Sequence, residues 1–356
     1  MKIAIMRRGS ITSLDGVNRF CAYLAEGLRK LGHEVFIASW GFYGVERENL
    51  SKYFAEVHGL EEEIPVYTIE EKPRHGGPWA EILFDWWFKG SRLLKELGAD
   101  VVVMNGVAPL RFKPKVAVAH GPLGRVSRLK RPILKALYGM YDYVVCVSKA
   151  SEEEYKGITR CSEIIPLPFK TSLYMPKPLE YRSNIVVHVG TAPRKNPQVS
   201  VEAVRILRER GLDVKFVFVG ARNNLIEEFA RRYSFVEPLF SVDERTKAEL
   251  LSRAKVLILP SSGEALPYTT LEAMASGTPP VVSSAVPSDV VIDEFNGVRV
   301  DSLNPVDYAN ALEKLLREED LWLKLSRNGT EFVKRFDQVE VARRYEDVFR
   351  RLLHES

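Results

Sequence analysis

The feature that most constrains this chain is an alternation that occurs twice. Short apolar runs rich in β-branched residues are separated by longer stretches whose apolar residues recur at helical spacing. In the first half, 2–6 reads as a strand and 16–31 as a helix, with Val17, Phe20, Leu24, Leu28 and Leu31 on one face and Gly32 as its stop. Further strands are expected at 34–39, 100–105, 115–120 and 143–148, apolar enough to be buried on both faces, as parallel strands between helices are. The second half repeats the pattern, with strands at 185–190, 214–220, 256–260 and 280–283 and helices at 199–210, 243–253, 270–276, 305–317 and 337–353. Between the halves, 166–184 holds Pro166, Pro168, Pro176 and Pro178 and little periodicity, which marks a linker. The expected class is therefore α/β, with two βα domains whose parallel sheets face each other across a cleft. The first would be 1–168, completed by the C-terminal helix 338–356; the linker is set at 169–183 and the second domain at 184–337.

A chain of 356 residues suits two domains of this kind. No run of about 18 apolar residues exists to span a bilayer, and the N-terminal apolar run is cut by Arg7 and Arg8, unlike a signal peptide. A cytoplasmic protein is the expectation. Cys21, Cys146 and Cys161 are widely spaced and form no CxxC, so buried free thiols are expected rather than a zinc site or a disulfide framework. The chain has two glutamines against many Lys, Arg and Glu, a bias that leans toward a thermophilic source. No acidic residue stands between Asp100 and Asp142, whereas Arg111, Lys113, Lys115, Arg125, Arg128, Lys130, Arg131 and Lys135 do. Such a stretch suggests a surface for an anionic partner.

In open α/β sheets ligands sit beyond the carboxyl ends of the strands. The loop after 256–260 reads Ser261-Ser262-Gly263-Glu264-Ala265-Leu266-Pro267-Tyr268, and a helix then starts near Thr269 or Thr270. The unpaired N–H groups and positive dipole end of that helix suit a phosphate. Glu264 and Glu272 can face the same crevice, where carboxylates accept hydrogen bonds from sugar or ribose hydroxyls. Arg194 and Lys195 follow Val189-Gly190 at another strand end, placed to stabilise a departing diphosphate. Gly16, after Asp15 at the first helix start, offers a second phosphate position, and His120-Gly121-Pro122 ends a crevice-facing strand.

These residues resemble the retaining glycosyltransferases of family 4, which have the GT-B fold of two facing Rossmann-like domains. Glu264, Glu272, Ala273-Met274-Ala275 and Gly277-Thr278-Pro279 match that family's most specific motif. His188 to Asn196, Ala254 to Pro260, Asn296-Gly297 and Asn304-Pro305 match in order and spacing. The resemblance implies transfer of a hexose of mannose or glucose type from a GDP- or UDP-linked sugar, with retention and without a metal or further cofactor. It implies that Glu264 holds hydroxyls of the transferred sugar, that amides around Leu266, Tyr268 and Thr269 line the sugar and diphosphate, and that Glu272 binds the ribose. It places His120 near the sugar and Arg194 and Lys195 on the diphosphate. Two departures stand out: Pro267, where the family often has glycine and where no N–H is available, and Thr191, where many members have arginine.

A dehydrogenase would want Gly-x-Gly-x-x-Gly after the first strand, and neither glycine region supplies it. A GT-B-fold epimerase, and a non-catalytic scaffold that binds anions or a membrane, compete with the transferase. No aromatic stripe of an RNA-binding kind supports nucleic acid as a partner. The basic stretch 111–138, which runs into Ile133, Leu134, Leu137 and Tyr138, is read as a surface that could lie on an anionic membrane, with a lipid-linked or glycan acceptor.

Overall fold

The computed structural model describes residues 1–13, 15–72, 74, 77–120, 130–264 and 266–354. They divide into two units, 1–169 with 336–356, and 170–335. The first contains β1 (Lys2–Ser10), α1 (Gly16–Lys30), β2 (Glu34–Gly41), α2 (Leu50–His58), β3 (Val66–Thr68), α3 (Trp79–Asp85), a π turn (Trp86–Gly90), α4 (Ser91–Glu96) and β4 (Val101–Asn105). It continues through β5 (Lys115–Ala119), α5 (Arg131–Tyr138), β6 (Tyr143–Cys146), α6 (Lys149–Tyr155) and β7 (Glu163–Ile164). The seven strands form one parallel sheet, in the order β3-β2-β1-β4-β5-β6-β7. Ile5 lies in register with both Ile37 and Val103, so β1 is central and buried on both faces, as its sequence required. The order reverses direction between β1 and β4, which makes that the switch point of this sheet.

The second unit holds β8 (Ser183–Val189), α7 (Pro197–Glu209), β9 (Lys215–Gly220), α8 (Asn224–Arg232), β10 (Val236–Phe240), α9 (Glu244–Arg253) and β11 (Ala254–Leu259). It ends with α10 (Tyr268–Ala275), β12 (Pro280–Ser283), β13 (Val298–Val300), α11 (Pro305–Arg317) and α12 (Glu319–Val333). Its parallel sheet runs β10-β9-β8-β11-β12-β13, with the switch point between β8 and β11.

After α12 the chain returns to the first unit as α13 (Gln338–His354), whose Val341, Ala342, Tyr345, Val348 and Phe349 are buried. Gly27 lets α13 approach α1 closely, because a β-carbon there would collide with the Gln338 carbonyl. The Gln338 amide donates to Glu26 at 2.7 Å.

Residues 170–183, expected as most of a linker, belong to the second unit. Arg182 anchors them: its guanidinium is buried and donates to the carbonyls of Ala254 at 2.7 Å and Ser276 at 2.6 Å and to the Thr278 hydroxyl at 2.7 Å. Burial without a carboxylate pushes it down to about 10.

Cys146 and Cys161 are joined in a disulfide, with α-carbons 5.7 Å apart, which corrects the expectation of free thiols for two of the three cysteines. The β6–α6–β7 crossover returns the chain alongside β6, a proximity that a spacing of 15 residues does not announce. Cys21 is free and buried, and burial raises its thiol to about 11. Of the apolar residues proposed to meet a membrane, Leu134, Leu137 and Tyr138 are core and only Ile133 is exposed. Arg125 and Arg128, and the Gly121-Pro122 pair after His120, lie outside the described residues. No helix of the described residues is long and apolar enough to cross a membrane.

Candidate functional site

In the second unit the loops after β8 and β11 are neighbours because their strands are, and backbone and side chain tie them together. Ser262 N–H donates to the Arg194 carbonyl at 2.7 Å, and the Asn196 amide donates to the Pro260 carbonyl at 2.8 Å. Gly190 takes φ +110°, a conformation that favours glycine, and its lack of a side chain leaves the space beside it to the Lys195 side chain. Into that space Lys195 folds back: its Nζ donates to the Val189 carbonyl at 2.9 Å and lies 3.4 Å from the Thr269 hydroxyl. Burial lowers its pKa, partly offset by the charge of Glu264.

Thr269 opens α10. The helices α1, α8, α9 and α11 are capped by Asp15, Asn223, Asp243 and Asn304. Pro267 occupies that position in α10, and no side-chain bond from the described residues caps the helix. Its positive end, with Leu266, Tyr268 and Thr269 around it and Lys195 beside it, is therefore suited to an anion.

Arg194 turns to the other loop. It pairs with Glu264 and donates to the Gly263 carbonyl at 2.8 Å. The Ser261 hydroxyl donates to Glu264 at 3.0 Å. Glu264 is thus held by two partners before any ligand arrives. Glu272 lies one turn into α10, almost fully buried, with one carboxylate oxygen 2.9 Å from Lys247 Nζ. Lys247 also bridges to Glu244 at 2.8 Å. Sequence reading missed Lys247 and Ser261; nothing local in α9 points to a carboxylate 25 positions further on. His188 is structural: its ring lies between the Ser200 hydroxyl at 2.9 Å and the Gly190 carbonyl at 3.2 Å, and burial pushes it down to about 3.

The structure thus gathers Arg194, Lys195, Glu264, Leu266, Tyr268, Thr269 and Glu272 in one unit, while Gly16 and His120 belong to the other. Gly16 begins α1, but the Val17 and Asn18 N–H groups donate to Asp15 Oδ1 at 3.0 and 2.9 Å. Asp15 is itself paired with Arg7 at 2.8 Å. The Asp15 carboxylate therefore caps this helix in place of an external anion, and Gly16 stands as a proposed donor contact. His120 follows β5, packs edge-on against Phe20 at 5.1 Å, and its Nε2 is buried with no partner among the described residues. Burial, with Arg7 adding to it, pushes this ring down to about 3 as well, so it is neutral at working pH.

Two parallel-sheet units of this design in one chain are those of the GT-B fold. The fold matches that of sucrose-phosphate synthase from Thermosynechococcus elongatus over 100% of both chains, with a TM-score of 0.79 at 18% identity. Anabaena HepE, solved in complex with UDP and glucose, matches over 99% of this chain and 100% of that one, with a TM-score of 0.76 at 16% identity.

The sequence then gives the family. Residues 174–332 match Glycosyl transferases group 1, and 14–172 match Glycosyltransferase Family 4. The chain belongs to these glycosyltransferases. An uncharacterized glycosyltransferase of Methanocaldococcus jannaschii is 26% identical over 86% of each chain. The D-inositol 3-phosphate glycosyltransferase of Corynebacterium kroppenstedtii is 28% identical over 47% of this chain and 40% of its own, so that match spans less than half of either protein. An Escherichia coli enzyme named UDP-Gal:alpha-D-GlcNAc-diphosphoundecaprenol alpha-1,3-galactosyltransferase is 29% identical over 46% of each.

Proposed function

We propose that this enzyme moves a hexose of mannose or glucose type from a GDP- or UDP-linked donor to an acceptor hydroxyl, with retention at the anomeric carbon and without a metal. The observation that carries the reading is Lys195, a half-buried cation beside Glu264, held at the start of α10, which no side chain of the described residues caps. A cation and a helix N-terminus converging on one point stabilise the charge that grows on a leaving diphosphate. Glu264 is fixed to accept hydrogen bonds from the sugar, and Glu272 is the candidate for the ribose once it is shared with Lys247. No side chain of this set is a ready covalent nucleophile, so the enzyme supplies positioning and electrostatics while the donor's own phosphate assists the acceptor hydroxyl. UDP-glucose is the first donor to test, since a neighbour of the same fold was solved with UDP and glucose. The experiment is a nucleotide-sugar panel in EDTA, read by released nucleoside diphosphate and by NMR of the product anomer. An inverted product, or activity that EDTA abolishes, overturns the mechanism; an epimerised donor with no transfer favours an epimerase.

The acceptor, in this reading, is a lipid or a lipid-linked glycan met at an anionic membrane surface. The support is not the apolar side of α5 but the exposed Phe84 and Phe88, 62% and 48% accessible, with Arg111 stacked 4.4 Å from the Trp87 ring. Exposed aromatic rings beside cations are what an interfacial surface presents. The E. coli relative, by its name, acts on a diphosphoundecaprenol-linked sugar. Sedimentation with acidic vesicles should fall when Phe84 and Phe88 are both changed to Ser; equal binding returns the reading to a soluble acceptor.

A further inference from the structure

We propose that Arg8 anchors a phosphoryl group carried by the acceptor. The proposal rests on the transferase reading above for the word acceptor, and on the first unit alone for the site. Arg8 follows Arg7, the last residue of β1 paired with β4, at the switch point of the seven-stranded sheet. The carboxyl ends of strands at such a point are where ligands sit in open α/β sheets. The strand is irregular there, with its register to β2 shifting between Arg7 and Ser10, and Trp86 donates its indole N–H to the Arg8 carbonyl at 3.4 Å.

The two adjacent arginines differ in one respect. Arg7 is paired with Asp15 at 2.8 Å and donates to the Asn18 side-chain oxygen at 3.0 Å. The Arg8 guanidinium has no hydrogen-bond or ion-pair partner among the described residues. Tyr138, Arg7, Tyr155 and Tyr141 are the neighbours that act on it most, and none of these is a carboxylate. Burial lowers its pKa, as it does for a cation taken from water without compensation. The Tyr138 and Tyr155 rings pack edge-on with centroids 5.5 Å apart, and Tyr155 donates to the His120 carbonyl at 2.8 Å, so the Tyr155 hydroxyl is already engaged.

A half-buried guanidinium with no anion is costly to keep. Its fork of N–H donors matches the oxygens of a phosphate in two parallel hydrogen bonds. Structural arginines in this chain look different: Arg182, equally without a carboxylate, spends its donors on carbonyls and a hydroxyl. Among the described residues Arg8 keeps its donors unspent, at the switch point of its sheet.

The test is calorimetric titration of the whole chain with inorganic phosphate, with saturating UDP or GDP to occupy the donor side. Wild type, Arg8→Gln and Arg8→Lys are compared. Wild type should bind phosphate, Arg8→Gln at least tenfold more weakly, and Arg8→Lys in between, because an ammonium keeps the charge but not the fork. Without ligand, Arg8→Gln should melt no lower than wild type, since it removes an uncompensated charge. Equal phosphate binding by wild type and Arg8→Gln overturns the proposal, and so does an Arg8→Gln protein that melts lower, which makes Arg8 a structural cation. Tighter binding of glucose 6-phosphate than of phosphate identifies a soluble phosphorylated acceptor. Arg8-dependent binding to phosphatidylcholine vesicles only when they contain phosphatidylinositol identifies a lipid headgroup. The difference between wild type and Arg8→Gln isolates this site even if no nucleotide-sugar proves to be a donor, so the two readings fail separately.

Discussion

Glu264 and Arg194 hold each other, and their substitutions should therefore behave as one. Glu264→Ala is expected to abolish transfer while leaving the melting temperature within a few degrees of wild type. Arg194→Ala, by releasing Glu264 to Ser261 alone, should lower transfer in the same way, and the double variant should be little worse than either single one. Additive losses in kcat/KM would show instead that Arg194 acts on the diphosphate by itself. Lys195→Ala belongs to a different event. It should cost about 10²-fold in kcat, near 3 kcal/mol of leaving-group stabilisation, whereas a raised donor KM at unchanged kcat would reduce Lys195 to a binding residue. His188 carries a pH prediction. Its folded-state value of about 3 lies below the roughly 6.5 of an unfolded histidine, so the unfolded chain binds the extra proton between those values. Stability should fall on acidification from about pH 6.5 toward 3, by up to about 1.4 kcal/mol per pH unit from this group. His188→Gln should flatten that slope in urea melts at a series of pH values; an unchanged slope would mean the ring is protonated in the fold. At this scale the sequence showed Arg194, Lys195 and Glu264 because each sits in a run of neighbours that announces a strand end. Ser261, Lys247 and Arg8 were silent because what defines them is a partner, or the lack of one, set by the fold.

Strands built on a continuous apolar run, β1, β4, β5, β8, β9 and β11, were legible within a few residues. Those missed are short or at an edge. The two-residue β7 and β10, with Pro238 inside it, give no run to read, and proline is tolerated in β10 because it is the outermost strand of its sheet. The helix α12 was missed although Trp322, Leu325, Gly329 and Val333 keep helical spacing, because one of the four is a glycine and Leu321, Leu323 and Phe332 fall off that stripe and blur it. The four prolines of 166–184 misled for a related reason: they break periodicity, but Arg182 fastens the segment by a side chain. That arginine receives the carbonyl ends of two elements, Leu251 and Ala254 at the close of α9 and Ser276 at the close of α10, with Trp322 of α12 4.8 Å beneath it. Arg182→Met would strand several of these carbonyls and is expected to cost roughly 3 kcal/mol or more. Because α10 carries Thr269 and Glu272, the same variant should also weaken nucleotide binding. A stable variant with wild-type donor affinity would show that the carbonyls find other partners.

The doubling of the βα pattern, and with it the two-unit design, was open in the sequence, because periodicity is a local property repeated often enough to be counted. Where the last helix docks was harder to justify, and its structural mark is Gly27. Gly27→Ala should gain about 1 kcal/mol in helix propensity yet lose about 1–3 kcal/mol to the collision with the Gln338 carbonyl. A backbone carbonyl cannot swing aside as a flexible side chain can, so a net loss is expected, confined to the first unit. Denaturant melts followed by proteolysis of each unit would check it, and a Gly27→Ala variant more stable than wild type would show that α13 slides along α1 without cost. The return of α13 also orders events during synthesis. Every residue of the second unit leaves the ribosome before the helix that completes the first, so the later-made unit can reach its native state while the earlier one waits with the α1 face that α13 covers, around Gly27, still bare. A chain truncated near residue 335 and released from the ribosome should therefore hold one protease-resistant piece, and it should be the second.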